Sequence, residues 1–180
     1  MPLIDKGTTE FSLGAMIESA SDSGTVNGTS AGTTSTTTTD VNGSVGYFLD
    51  KHSQVGAFAD VTTVTVSPPT GSSTSAGFTY LEGFYKYHFR LENSPEWVPY
   101  VGGYLGLLTV TLTTAGTSST GAGTSFAGAA GVKYFFSERI SMNLEDHIGF
   151  ASYSITVAGT SVTESRSSNT LLFSLSVYFG

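Results

Sequence analysis

The chain has no cysteine, and only 12% of its 180 residues are charged. Without cysteine, neither a disulfide framework nor a thiolate metal site is available. The charged share is half the usual figure of about 25%. Basic residues are the scarcer sign, seven Lys and Arg against fourteen Asp and Glu, for a formal charge of -7. That leaves no basic stripe to neutralise phosphates and excludes a nucleic-acid partner. Long apolar runs are missing too. None approaches the roughly 20 residues a spanning helix needs, which excludes helical membrane spans but not strand spans, whose signal per segment is much weaker. The start, Met1 to Asp5, has no basic n-region or apolar h-region, as expected of a chain whose export signal has been removed.

Glycine (22 residues), threonine and serine take the place of charge, beside 39% hydrophobic residues. The most informative stretch is 77–91. Leu81, Gly83, Tyr85, Tyr87, Phe89 and Leu91 share one parity, and Glu82, Lys86, His88 and Arg90 share the other. Successive side chains of a strand face opposite ways, so this strand has an apolar aromatic face and an ionisable one. A soluble sandwich turns the apolar face inward, and a membrane barrel turns it toward lipid. The same period recurs along the chain. It predicts strands over 8–20, 41–49, 55–66, 77–91, 98–112, 126–136, 140–157 and 169–179. The fifth is nearly all apolar, so pattern alone does not assign its faces.

Between these strands lie Gly/Thr/Ser-rich segments, 21–40, 67–76, 113–125 and 158–168, which read as long polar loops. They alternate with short turns at 50–53, 92–97 and 137–139. Regular alternation of long and short connections is the pattern of a transmembrane barrel. The expectation is therefore an all-β fold: one domain over residues 1–180, an eight-stranded antiparallel up-and-down barrel with four long loops on one side and short turns on the other. Tyr47, Tyr87, Phe89, Trp97, Tyr134, Phe136 and Phe179 gather beside the short turns, where an interfacial girdle would lie. One carboxylate, Asp146, shares the parity of Met142, Leu144, Ile148 and Phe150, the face expected to meet lipid.

The order and spacing of 45–49 (VGYFL), 99–106 (PYVGGYLG), 128–136 (GAAGVKYFF), 140–145 (ISMNLE) and 173–179 (FSLSVYF) resemble the small eight-stranded outer-membrane barrels, the OmpA/OmpX-like group. The resemblance covers most strands and none of the long segments. It implies a bacterial outer-membrane location, contact with outer-membrane lipid, insertion by the barrel-assembly machinery, and no enzymatic activity. The chain departs from that group by ending on Gly180 rather than on an aromatic residue.

Glu18, Asp60, Glu82, Lys86, His88, Arg90, Lys133, Glu145 and His147 fall on the parity assigned to the lumen. Small barrels fill their interior with side chains, and buried charges need partners. These residues therefore read as a structural network, or alternatively as a narrow gated ion path. In particular, Glu82, Lys86, Arg90, Lys133 and Glu145 are expected to point inward and touch one another. Catalysis has only His88 or His147 with Glu82 or Glu145 as candidates. No metal motif is present and no cofactor is implied. Asn27-Gly-Thr29 and Asn42-Gly-Ser44 match the glycosylation triplet, a pattern common by chance. Three functions stand open: a structural or adhesive outer-membrane barrel, a subunit of an extracellular fibre that self-associates through its loops or wall, and a soluble ligand-binding barrel.

Overall fold

The structure is a computed structural model that describes residues 4–26, 29–157 and 160–180, the side chains of 17–26, 29–33, 157 and 160 excepted. Eight strands follow in order: β1 (Thr9–Val26), β2 (Thr29–Phe48), β3 (Ser53–Ser67), β4 (Thr74–His88), β5 (Trp97–Thr114), β6 (Thr117–Ser137), β7 (Ile140–Val157) and β8 (Thr160–Phe179). Each pairs antiparallel with its sequence neighbours, and β8 returns to β1 to close the barrel. No helix among the described residues is long and apolar enough to cross a membrane.

The polar segments are mostly strand, not loop. Residues 29–40 and 117–125 lie inside β2 and β6, and 160–168 inside β8. Of the four segments expected as long loops, only 67–76 keeps a loop of any length among the described residues, at 68–73 with its paired prolines. Threonine is β-branched and suits a pleated strand. Its hydroxyls also bond across the ladder, as between Thr113 and Ser118 (2.8 Å) and between Ser154 and Thr163 (2.8 Å). The β5–β6 hairpin turns on two residues, Ala115 (φ 50°) and Gly116 (φ 81°), the doubly positive geometry that matches strand twist.

Strand alternation sorts the side chains cleanly. Outward lie Phe11 and Leu13 on β1, Tyr47 and Val45 on β2, Tyr85 and Leu81 on β4, Leu105 and Leu107 on β5, and Phe173 and Leu175 on β8, each 41–70% exposed. This arrangement removes the soluble-barrel reading, because the apolar face looks out and the charges look in. Farther from the short turns the outward positions become polar: Thr39, Thr63, Thr79, Thr109, Thr124, Ser152 and Asn169. The apolar zone is thus four to six outward positions deep per strand, which fits the 9–11 residues of a tilted transmembrane strand. At the short-turn edge Trp97 packs on Tyr134 (4.7 Å), Tyr87 on Phe89 (5.2 Å) and Phe11 on Phe179 (5.8 Å). Asp146 is exposed on the lipid face, paired with Ala130 on β6 and Leu171 on β8.

One seam differs from the rest. β1 and β8 pair only from Thr9 to Gly14, although both strands continue well beyond that point.

Candidate functional site in the barrel lumen

The lumen is filled from the short-turn end upward. Ile4, carried inside by the N-terminal segment, packs with Phe48, Val98, Phe135 and Tyr178, all buried, to plug that end. Arg90 supports this plug from outside the network expected for it. β4 ends at His88, so Arg90 lies past the strand and half-buried, where it donates to the backbone carbonyls of Ile4 and Lys51.

Above the plug is the first ion pair, Lys133 with Glu10. Glu10 also accepts from Gln54 Nε2 (2.7 Å) and Ser176 Oγ (2.6 Å). Gln54 Oε1 lies 3.1 Å from His88 Nε2. A second pair follows, Lys86 with Glu145 at 2.7 Å, and Tyr104 donates its hydroxyl to the same carboxylate at 2.7 Å. The Tyr100 ring sits between the two ammonium groups, 4.8 Å from Lys86 Nζ and 5.3 Å from Lys133 Nζ. Two inward glycines make room for these groups. A Cβ on Gly131 would come within 2.6 Å of the Tyr100 ring, and one on Gly102 within 2.9 Å of the Lys86 side chain. Both ion pairs are out of water, where opposite charges in good geometry with further hydrogen bonds compensate the loss of hydration.

Phe58, Phe84, Tyr104 and Leu172 form the next layer with Ala127 and Ala129. Glu82 is buried beside it and accepts from Ser125 Oγ at 2.6 Å. Thr62 Oγ1 lies between two carboxylates, 3.0 Å from Asp40 and 2.8 Å from Asp60, and Asn42 donates to Asp40 at 3.0 Å. Here the interior opens into a cavity of 510 Å³. Phe78, Leu108, Val110, Ala151 and Tyr153 pack beyond it, and the Arg166 guanidinium lies 4.0 Å over the Phe78 ring.

Of the residues singled out from sequence, Asp60, Glu82, Lys86, His88, Lys133 and Glu145 are buried in the lumen. The five charges expected to meet do so only in part: Lys86 reaches Glu145, Lys133 reaches Glu10, Glu82 meets a serine, and Arg90 stands apart. The Glu18 side chain lies outside the described residues. His147 stacks near Tyr104 (4.6 Å) and Phe58 (5.9 Å), with no hydrogen-bond partner for Nε2. No hydrogen bond joins His88 or His147 to Glu82 or Glu145, so the acid–base dyad considered for catalysis is not assembled. The residues missed were Glu10, Asp40 and Gln54. Glu10 carries the parity of Ser12 and Gly14, and that was its signal. Among the described residues no cluster of three or more His, Cys, Asp or Glu could hold a metal ion.

At the short turns, Asp50 accepts from the backbone N–H groups of His52 (2.6 Å) and Ser53 (2.8 Å). These bonds favour its charged form and hold the carboxyl below its ordinary value.

A family model described as "Outer membrane protein beta-barrel domain" matches residues 5–179. No curated protein matches the chain. Among solved structures, the chain is similar to the outer membrane protein OprG from Pseudomonas aeruginosa, with a TM-score of 0.58, 15% identity and 97% of each chain covered. Neisserial surface protein A gives a TM-score of 0.55 at 16% identity, covering 97% of this chain and 98% of that one. Outer membrane protein AlkL, solved in lipid bilayers, gives 0.52 at 17%, covering 97% and 91%.

Proposed function

Since the chain belongs to the outer-membrane protein β-barrel family and is a protein of the bacterial outer membrane, we propose that it serves there as a closed, non-enzymatic barrel that displays polar hairpins at the cell surface. One observation carries this reading: the lumen is blocked by the Ile4 plug and two crossed ion pairs, while the hairpins continue as Thr/Ser ladders past the apolar wall. A blocked barrel offers surface, not passage. In this reading outer-membrane lipid covers the wall, the barrel-assembly machinery inserts the chain, and the role is structural or adhesive. The matched proteins give no support to the fibre.

Planar-bilayer recording and protease treatment of intact cells test the proposal together. The purified barrel should give no open-channel current, and added protease should cut displayed protein within 68–73. Steady conductance, or protection of that segment in intact cells, refutes it. Brief current steps that Glu145→Gln abolishes would favour the gated ion path, because Glu145 forms one of the two ion pairs that cross the lumen.

A further inference from the structure

Among the described residues, the lumen holds more buried carboxyl groups than ion-paired cations. Glu10 and Glu145 take the two lumen lysines. Asp40, Asp60 and Glu82, each no more than 6% exposed, have no ion-pair partner among the described residues. Thr62 has one hydroxyl hydrogen and two carboxylates in reach, so it serves one at a time. Arg166 also lines this cavity, but its guanidinium is stacked 4.0 Å over the Phe78 ring and forms no ion pair with either aspartate. A buried carboxylate without a cation is costly, and Asp40 and Asp60 line the 510 Å³ cavity.

We propose that this cavity is a binding site for a small organic cation, an ammonium group with an apolar body. The ammonium adds the ion-pair partner that Asp40 and Asp60 lack, and further hydrogens beside those of Thr62 and Asn42. Phe58 and Tyr80, also in the wall, supply aromatic faces that attract cations and apolar groups alike. The volume is that of a ligand pocket of about 300–1,000 Å³. A bare metal ion would leave most of it empty, and no three-residue metal cluster exists among the described residues.

The same cavity has a mouth. Its lining includes Met16 of β1 together with both inward Leu172 and outward Leu171 and Asn169 of β8, so it runs through the wall. It does so where β1 and β8 have stopped pairing, above Gly14 and Ser174. Unpaired strand edges at membrane depth are tolerated where they line a cavity, which accounts for the open seam and the pocket at once. The mouth lies at the upper edge of the apolar belt, and an amphipathic amine partitions to that level.

The test uses the full chain in uncharged maltoside micelles, so that no detergent ammonium competes. Phenethylammonium chloride is titrated against phenethyl alcohol and calcium chloride, and the backbone amide shifts of Asp40, Asp60 and Thr62 are followed. The amine should give saturable shifts that the alcohol does not. Asp60→Asn and Asp40→Asn, isosteric and checked for folding by heat-modifiable migration, should each weaken binding at least about tenfold, the scale of one lost charge-assisted bond. Equal shifts with the alcohol, shifts with calcium alone, or unchanged affinity in a folded variant overturn the proposal. If neither variant folds, the amine-against-alcohol comparison on the wild type still decides it.

Discussion

Replacing Lys133 by Met should destabilise the barrel by about 3–5 kcal/mol, the cost of leaving one member of a buried ion pair unpartnered. Lys133 is 1% exposed and Glu10 3%, so water cannot take over the lost contact. Gln54 and Ser176 still donate to Glu10, which places the cost toward the lower end, about 3 kcal/mol. The methionine chain keeps the packing against Tyr100 and Tyr178. The loss is therefore electrostatic rather than a cavity effect, and a second change should undo most of it. In Glu10→Gln/Lys133→Met no buried charge remains unpaired, and the double variant should recover at least about 2 kcal/mol relative to the single one. Urea unfolding in vesicles, followed through Trp97 as the only tryptophan, gives all four corners of the cycle. A single variant that costs under about 1 kcal/mol, or a double variant as unstable as the sum of its parts, would refute the view that this pair is held by mutual compensation.

Two further outcomes follow from single carboxylates in opposite settings. Asp146 faces lipid between Ala130 and Leu171, so Asp146→Val should stabilise the folded barrel in vesicles by roughly 1–2 kcal/mol, less than a lysine at that depth would cost; a loss of stability would mean that a partner holds the carboxylate. Asp50, with its carboxyl held below 3.8 by the His52 and Ser53 amides, stabilises its turn above the unfolded value and loses that contribution as pH falls through the lower, folded one. The amide shifts of His52 and Ser53 should titrate together below pH 3.8 and stop titrating in Asp50→Asn; a midpoint above that value contradicts the hydrogen-bond explanation.

The barrel was legible in the sequence because period two survives wherever one face meets lipid. Leu81, Tyr85 and Tyr87 against Glu82, Lys86 and His88 separate the two faces of β4, while the alternation of connections, not this stretch, points the apolar face outward. β5 resisted, since Val98, Tyr100, Tyr104 and Leu108 are apolar and buried inside while Val101, Leu105 and Leu107 are apolar and exposed outside; a lumen lined by aromatics erases the contrast. The hairpin extensions were misread for a related reason. Above the membrane both faces of a strand meet polar surroundings, so 29–40 and 117–125 have strand geometry with the composition of a loop. The site was half visible. Parity shows which residues point inward, but not which of them meet, because Lys133 and Glu10 are brought together across the lumen from β6 and β1. No spacing in the sequence carries that information.

The short seam between β1 and β8 also bears on how the molecule comes into being. Seven pairings join sequence neighbours and can form as hairpins, on the microsecond scale typical of such turns. The eighth joins Thr9 to Phe179 and must wait until the other seven have brought the ends of the chain together. Until it forms, two free edges face outward with unpaired N–H and C=O groups, which hydrocarbon does not accept. Closure and burial in the bilayer are therefore one event in time, and the briefest stretch of ladder in the molecule, six residues of β1, sets when that event can occur.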